Sequence, residues 1–243
     1  MAQFNTYGSA STLGSSDTAL VYQSGAVKQA TMQQVLDLTA SASRWIEKGS
    51  STYTAGNSGN DSVITFSDTS GLSAGLPLKV VIGAATLYVI IESVVSSTVT
   101  VRGPSVDGTI SSIHYGKPEQ VSELNFYVSG FFAQTTGTSL LDTFMNTYYK
   151  WRGPTAYAVQ ASFVSATADG SSAPVLQVLA GGSRVVDGTG VTLGSAGSWA
   201  ESTLVNASNY ALTRGTNMEL EVVTAGGDGA ASDMTVSLTL VLA

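Results

Sequence analysis

The chain has 243 residues and no Cys, which excludes disulfides, thiolate metal sites and cysteine nucleophiles. Charged residues make up 11%, whereas 34 Ser, 28 Thr and 26 Gly together exceed a third of the chain, so the surface is polar through hydroxyl and amide groups. The formal net charge is -7 and the ten Lys and Arg are scattered singly, which leaves no basic patch for nucleic-acid phosphates or an acidic membrane.

In chain order, residues 1–18 hold only Phe4, Tyr7 and Leu13 as large apolar residues, too few for a core, and they are expected to form an arm. This N-terminus has no positive n-region and no apolar h-region, so neither a signal peptide nor an anchor is expected. Two short extended segments, 19–23 and 26–29, flank Ser24-Gly25, where Gly can supply a positive φ, and this pattern predicts a small hairpin. Thr31 and Gln34 match a capping box, and Met32, Val35 and Leu36 recur at helical spacing. The helix they predict is about ten residues long, marginal in water unless its apolar stripe docks on a partner. The segment 1–42 is therefore expected to be an attachment arm whose partner-binding residues are Phe4, Tyr7, Leu13, Met32, Val35 and Leu36.

From residue 44 the period switches to strands, predicted at 62–66, 76–82, 86–95, 98–102 and 111–115 with Gly, Ser and Asp between them. They predict a small antiparallel barrel or sandwich over 43–117. The longest apolar run, Leu87 to Ile91, is too short to span a membrane. It is apolar on both faces, and a domain of about 70 residues rarely has core enough to cover both. That mismatch predicts burial between protomers of a homotrimer.

The segment Lys117-Pro118-Glu119-Gln120 is the expected boundary, because Pro interrupts a ladder. Beyond it, strands are predicted at 125–132, 156–165, 174–180, 183–186, 199–205, 218–223 and 233–242. In the last of these, Met234, Val236, Leu238, Leu240 and Leu242 alternate with Thr235, Ser237 and Thr239, which gives one core face and one hydroxyl face. The spacing predicts a two-sheet, jelly-roll-like β sandwich over 118–243 and a mainly β chain overall.

Three segments resemble bacteriophage virion proteins. Residues 13–35, with Asp17, the apolar run Ala19 to Tyr22, the Ser24-Gly25 turn, Lys28-Gln29 and Thr31 ahead of the short helix, resemble the attachment region of phage fibre and head-surface proteins. The stretches Val63 to Phe66, Leu72 to Val80, Ser96 to Val101 and Ile113 to Gly116 are similar to a small β domain of phage tail and fibre proteins. The C-terminal half, with Val175 to Gly182 as an inner strand and turn, resembles the jelly-roll heads of trimeric fibres and capsid decoration proteins. The resemblance implies a non-enzymatic homotrimer on the virion surface, assembled in the host bacterial cytoplasm, that binds the major capsid protein or another virion protein through its arm. It brings no catalytic residue and no cofactor.

Chemical motifs are sparse. Gly71-Leu72-Ser73-Ala74-Gly75 matches the nucleophile-elbow spacing, yet a strand is predicted after it where the elbow requires a helix, and the chain's only histidine is His114. Glu219 and Glu221 share a strand face opposite Met218, Leu220 and Val222, the pattern of a solvated face beside a core face. Asp228 and Asp233 bracket a Gly/Ala loop without the spacing of a calcium loop, and Gly188 to Gly194 misses the dinucleotide fingerprint. No catalytic, cofactor or metal residue is therefore assigned. Trp45, Trp151 and Trp199 could stack on sugars, and Trp151 and Trp199, in the C-terminal region, are the candidate receptor contacts for a host surface glycan. The expected function is a trimeric capsid decoration, or cement, protein. The alternative is a short tail or head fibre with a receptor-binding head, disfavoured by the absence of heptads or collagen repeats for a shaft.

Overall fold

The computed structural model describes residues 18–23, 26–31, 44–49, 51–58, 61–131, 138–139, 149–167, 174–202, 204–224 and 232–243. The chain divides into two compact units, Met1–Ile46 and Glu47–Ala243. In the first, the strands β1 (Thr18–Gln23) and β2 (Ala26–Thr31) pair antiparallel from Thr18 opposite Thr31 to Gln23 opposite Ala26, the hairpin that the sequence predicts. The predicted helix and the arm residues Phe4, Tyr7, Leu13, Met32, Val35 and Leu36 lie outside the described residues.

The described residues are mainly β, in curled antiparallel sheets. After the two-residue strand β3 (Ile46–Glu47) come β4 (Tyr53–Ser58), β5 (Asp61–Phe66), β6 (Pro77–Ile82), β7 (Ala85–Val95), β8 (Thr98–Pro104) and β9 (Ile110–Tyr115). These pair in the order β9-β6-β7-β8-β5-β4. Alternate residues of these strands, Ile64, Phe66, Leu78, Val80, Val89, Ile91, Val99, Val101 and Ile113, form one buried cluster inside the curl. The curl is fastened by Lys48, whose buried ammonium donates to Asp68 Oδ2 at 2.8 Å and to the Ser70 carbonyl at 2.8 Å. That pairing and the Ser70 hydrogen bonds hold the Asp68 carboxyl well below the usual carboxylate range.

The rest of the unit runs β10 (Val121–Phe131), β11 (Thr138–Ser139), β12 (Tyr149–Lys150), β13 (Ala156–Thr167), β14 (Val175–Ala180), β15 (Ser183–Arg184), β16 (Val191–Thr192), β17 (Ala200–Glu201), β18 (Leu204–Val205), β19 (Ala211–Leu212), β20 (Asn217–Thr224) and β21 (Ser232–Leu242). One sheet has the order β10-β21-β13-β17, and the other β11-β20-β14-β15. Leu124, Phe163, Val236 and Leu238 of the first sheet and Leu176, Val178, Leu220 and Val222 of the second share a single core, so the two sheets form a sandwich. Within it Gln177, fully buried, takes the place of a missing ladder partner. Its Oε1 accepts from the Val186 amide at 2.8 Å and its Nε2 donates to the Val186 carbonyl at 3.0 Å.

The expected boundary at Lys117 is a short 3-10 turn (Pro118–Gln120), and the two cores on either side of it belong to the same compact unit. They meet through aromatics. Tyr88 of β7 stacks on Tyr157 of β13 with ring centroids 4.1 Å apart, Tyr210 lies 5.0 Å from Tyr157, and the Tyr210 hydroxyl accepts the Tyr88 amide at 3.1 Å. β18 adds to β8 in parallel, placing Leu204 opposite Gly103 and Val205 opposite Pro104. A side chain at Gly103 would put its Cβ 2.9 Å from Val89 Cγ1 of β7 at a φ of +144°, so the close approach of β8 to β7 here requires glycine. Part of the covering of Leu87 to Ile91 comes from within the chain. Val89 and Ile91 fill the first core and Leu87 packs on it, while Tyr88 on the opposite face packs against the second core. Val89 and Ile91 are thus covered within the chain, while Leu87, Tyr88 and Ile90 are half-buried.

Candidate functional site

An open trough of about 450 Å³ lies on the outer face of the β10-β21-β13-β17 sheet. Its floor is the hydroxyl face of β21. Because Met234, Val236 and Leu238 point into the core, Thr235, Ser237 and Thr239 must point out. Strand pairing then lays polar residues across the sheet in rows: Glu123, Thr239 and Gln160 in one, and Asn125, Ser237, Ser162 and Glu201 in the next.

The far wall is β17 with the residue before it. Ala200 packs against the core, so Trp199 and Glu201, two apart in sequence, share the outer face. Trp199 is 51% exposed, unusual for an indole, and lines the trough together with Glu201. Gln160 Nε2 donates to Glu201 Oε2 at 3.0 Å and so fixes the direction of that carboxylate. Glu123 and Glu201 lie three interstrand spacings apart, roughly 14 Å between backbones, at opposite edges of the trough. The arrangement is a hydrogen-bonding floor bordered by one aromatic platform. It offers ordered acceptors and donors to a ligand rich in hydroxyls.

Trp199 is thus the one sequence-selected tryptophan that lines the trough. Trp151 is half-buried against the sandwich core, and its indole N–H donates to the Pro154 carbonyl at 2.7 Å. Trp45 is half-buried. The serine of the elbow-like motif, Ser73, is exposed in a turn that leads into strand β6, and His114 sits opposite Lys79 in the β6-β9 ladder. Burial and then the Lys79 charge lower the His114 pKa. Glu221 is engaged by Arg184 through two hydrogen bonds of 2.9 and 3.0 Å, and Asp233 Oδ1 accepts from the Tyr127 hydroxyl at 3.0 Å. Asp228 lies outside the described residues. Among the described residues no group of three or more His, Asp or Glu is placed to hold a metal ion, and no helix is long and apolar enough to cross a membrane.

Sequence reasoning did not select Glu123, Asn125, Gln160 or Glu201. Their period-2 alternation with Leu124, Phe126, Ala161 and Ala200 was the available signal, and it marks a solvent face without saying which strands adjoin. No family model and no curated sequence matches the chain.

Proposed function

We propose that the chain is a non-enzymatic bacteriophage virion protein, a homotrimeric capsid decoration protein held to the capsid surface by its N-terminal arm, with the C-terminal sandwich as a jelly-roll-like head. The observation that carries this reading is the division at Ile46 and Glu47. A small N-terminal unit that includes a two-stranded hairpin precedes a self-contained β unit with its own cores, as an attachment module would precede the body it tethers. The charge-poor, hydroxyl-rich composition supports the same reading, since it disfavours nucleic acid and acidic membranes as partners.

The test is co-sedimentation with particles that lack the native protein. The full chain is expected to pellet with them, and a variant lacking residues 1–42 is expected to stay in the supernatant while keeping its melting temperature. Retained binding at full affinity would move the attachment surface to the β unit. The trimer needs its own measurement, because the strand Leu87 to Ile91 is covered in part within one chain. Light scattering of the full chain should give three times the chain mass, and a stable monomer would remove the trimer.

A second reading, a short tail or head fibre whose head touches a receptor, is favoured by one specific observation: the trough with its exposed Trp199 on the sandwich. Copy number separates the two. Quantitative mass spectrometry of purified virions should find hundreds of copies for a decoration protein and a few to some tens for a fibre.

A further inference from the structure

We infer that the trough on the outer face of the β10-β21-β13-β17 sheet is a binding site for a neutral oligosaccharide. This deepens the receptor-binding reading and rests on it for its biological setting. Among the described residues no Lys or Arg lines the trough, and Glu123 and Glu201 do, so sialic acids, uronic acids and phosphorylated glycans would meet like charge with no guanidinium or ammonium to offset it. Among the described residues the only large apolar side chain lining it is the indole of Trp199, so a peptide or lipid would find there none of the apolar, charge-depleted centre that such partners need.

What the lining offers fits a sugar. A pyranose ring presents a face of C–H groups and an equator of hydroxyls. The C–H face can lie on the half-exposed indole of Trp199, which is large, rigid and held on the sheet by Ala200 packing into the core beside it. Vicinal hydroxyls are two donors at a spacing that a carboxylate can accept together, and Glu201 is already oriented by the 3.0 Å bond from Gln160. Asn125 and the hydroxyls of Ser237 and Thr239 supply partners of both kinds along the floor. The trough is open, so its shape suits an internal stretch of a chain of sugars as well as a chain end.

The test uses the full-length protein and defined probes: cellohexaose, maltohexaose, laminarihexaose and chitohexaose as neutral oligosaccharides, and sialyllactose as the acidic control. Saturation-transfer NMR detects binding and titration calorimetry measures it. At least one neutral hexasaccharide is expected to bind and sialyllactose is not. Trp199→Ala and Glu201→Gln should each weaken that binding tenfold or more with melting temperatures unchanged, because both side chains are exposed. Three results overturn the inference: no neutral probe binds, binding survives both substitutions, or sialyllactose binds as tightly as the best neutral probe. The site and the fibre reading fail separately. Fibre-like copy number without saccharide binding removes the site alone, whereas saccharide binding with hundreds of copies per particle keeps the site and removes the fibre.

Discussion

Tyr210→Phe tests how the two cores of the Glu47–Ala243 unit are held to one another. Tyr210 is 3% exposed, its ring sits 5.0 Å from that of Tyr157, and its hydroxyl accepts the amide of Tyr88. Phe keeps the ring packing and removes the acceptor from a part-buried amide, which costs about 1–3 kcal/mol. For a unit of this size that is roughly 2–12 °C in melting temperature at neutral pH.

The alkaline limb provides a sharper readout. Burial, outweighing the Tyr88 hydrogen bond and reinforced by Tyr157 and Tyr88, pushes the Tyr210 phenol from 10.0 up to about 12. Between those values the folded chain keeps a proton that the unfolded chain has lost. The contribution is therefore complete below pH 10 and disappears as pH rises through 12, about 3 kcal/mol in all. Lysines titrate in the same range, but they do so equally in both proteins and cancel in the difference. Thermal melts of wild type and Tyr210→Phe across pH 8 to 12 should show the wild-type advantage shrinking above pH 10 and vanishing or reversing near 12. A constant gap over that range would mean that Tyr210 ionises like an exposed phenol, and the buried junction would be refuted.

Leu238 is fully buried between Leu124 and Ala161, so Leu238→Ala should cost about 2–5 kcal/mol in chemical denaturation, while Ser237→Ala on the trough face should stay within about 0.5 kcal/mol. Equal effects would put β21 one residue out of register. Gln177→Leu strips both partners from Val186 and should cost about 2–5 kcal/mol by the same measurement, with a loss under about 1 kcal/mol showing that water replaces them. Asp68→Asn should flatten the acid limb of the stability profile, because a carboxyl depressed below 3.8 contributes above that value and loses its contribution as pH falls. Tyr88→Ala should lower the melting temperature of the unit and leave its light-scattering mass unchanged, since the Tyr88 ring packs within one chain.

What the sequence made legible, and what it did not, follows from where each piece of information resides. β21 was readable because its two faces differ in chemistry at every step, Met234, Val236 and Leu238 against Thr235, Ser237 and Thr239. β4 was not, because Tyr-Thr-Ala-Gly-Asn-Ser carries no alternation, and its backbone is held by the ladder to β5 from Tyr53 opposite Phe66 to Ser58 opposite Asp61. The predicted strand over 199–205 breaks for a nonlocal reason. At Ser202 the amide donates to the Ala161 carbonyl and the side-chain oxygen accepts the Ala161 amide, both beside the β13 bulge between Ala158 and Gln160. Past that point the segment leaves β13 and joins β8. The trough is hidden in the same way. Each of its strands shows a polar face, but Glu123 and Glu201 become walls of one trough only through the order β10-β21-β13-β17, in which no two neighbours are consecutive in the chain.

For the strand Leu87 to Ile91, part of the expected cover is supplied from within the chain. Burial arithmetic correctly demands a cover for both faces of an apolar strand, but it counts area and is silent on who supplies it. Here the cover of Tyr88 comes from some 70 residues downstream, where Tyr157 stacks on it at an interplanar angle of 19°. An aromatic is suited to this place because its ring covers apolar surface while a hydroxyl can still meet a backbone group at the margin, as that of Tyr210 meets the Tyr88 amide. The consequence for assembly is specific. Any contact between protomers has to be made by residues that remain outside, such as Val95 at 68% exposure, and oligomer-breaking substitutions belong there rather than on β7's buried centre.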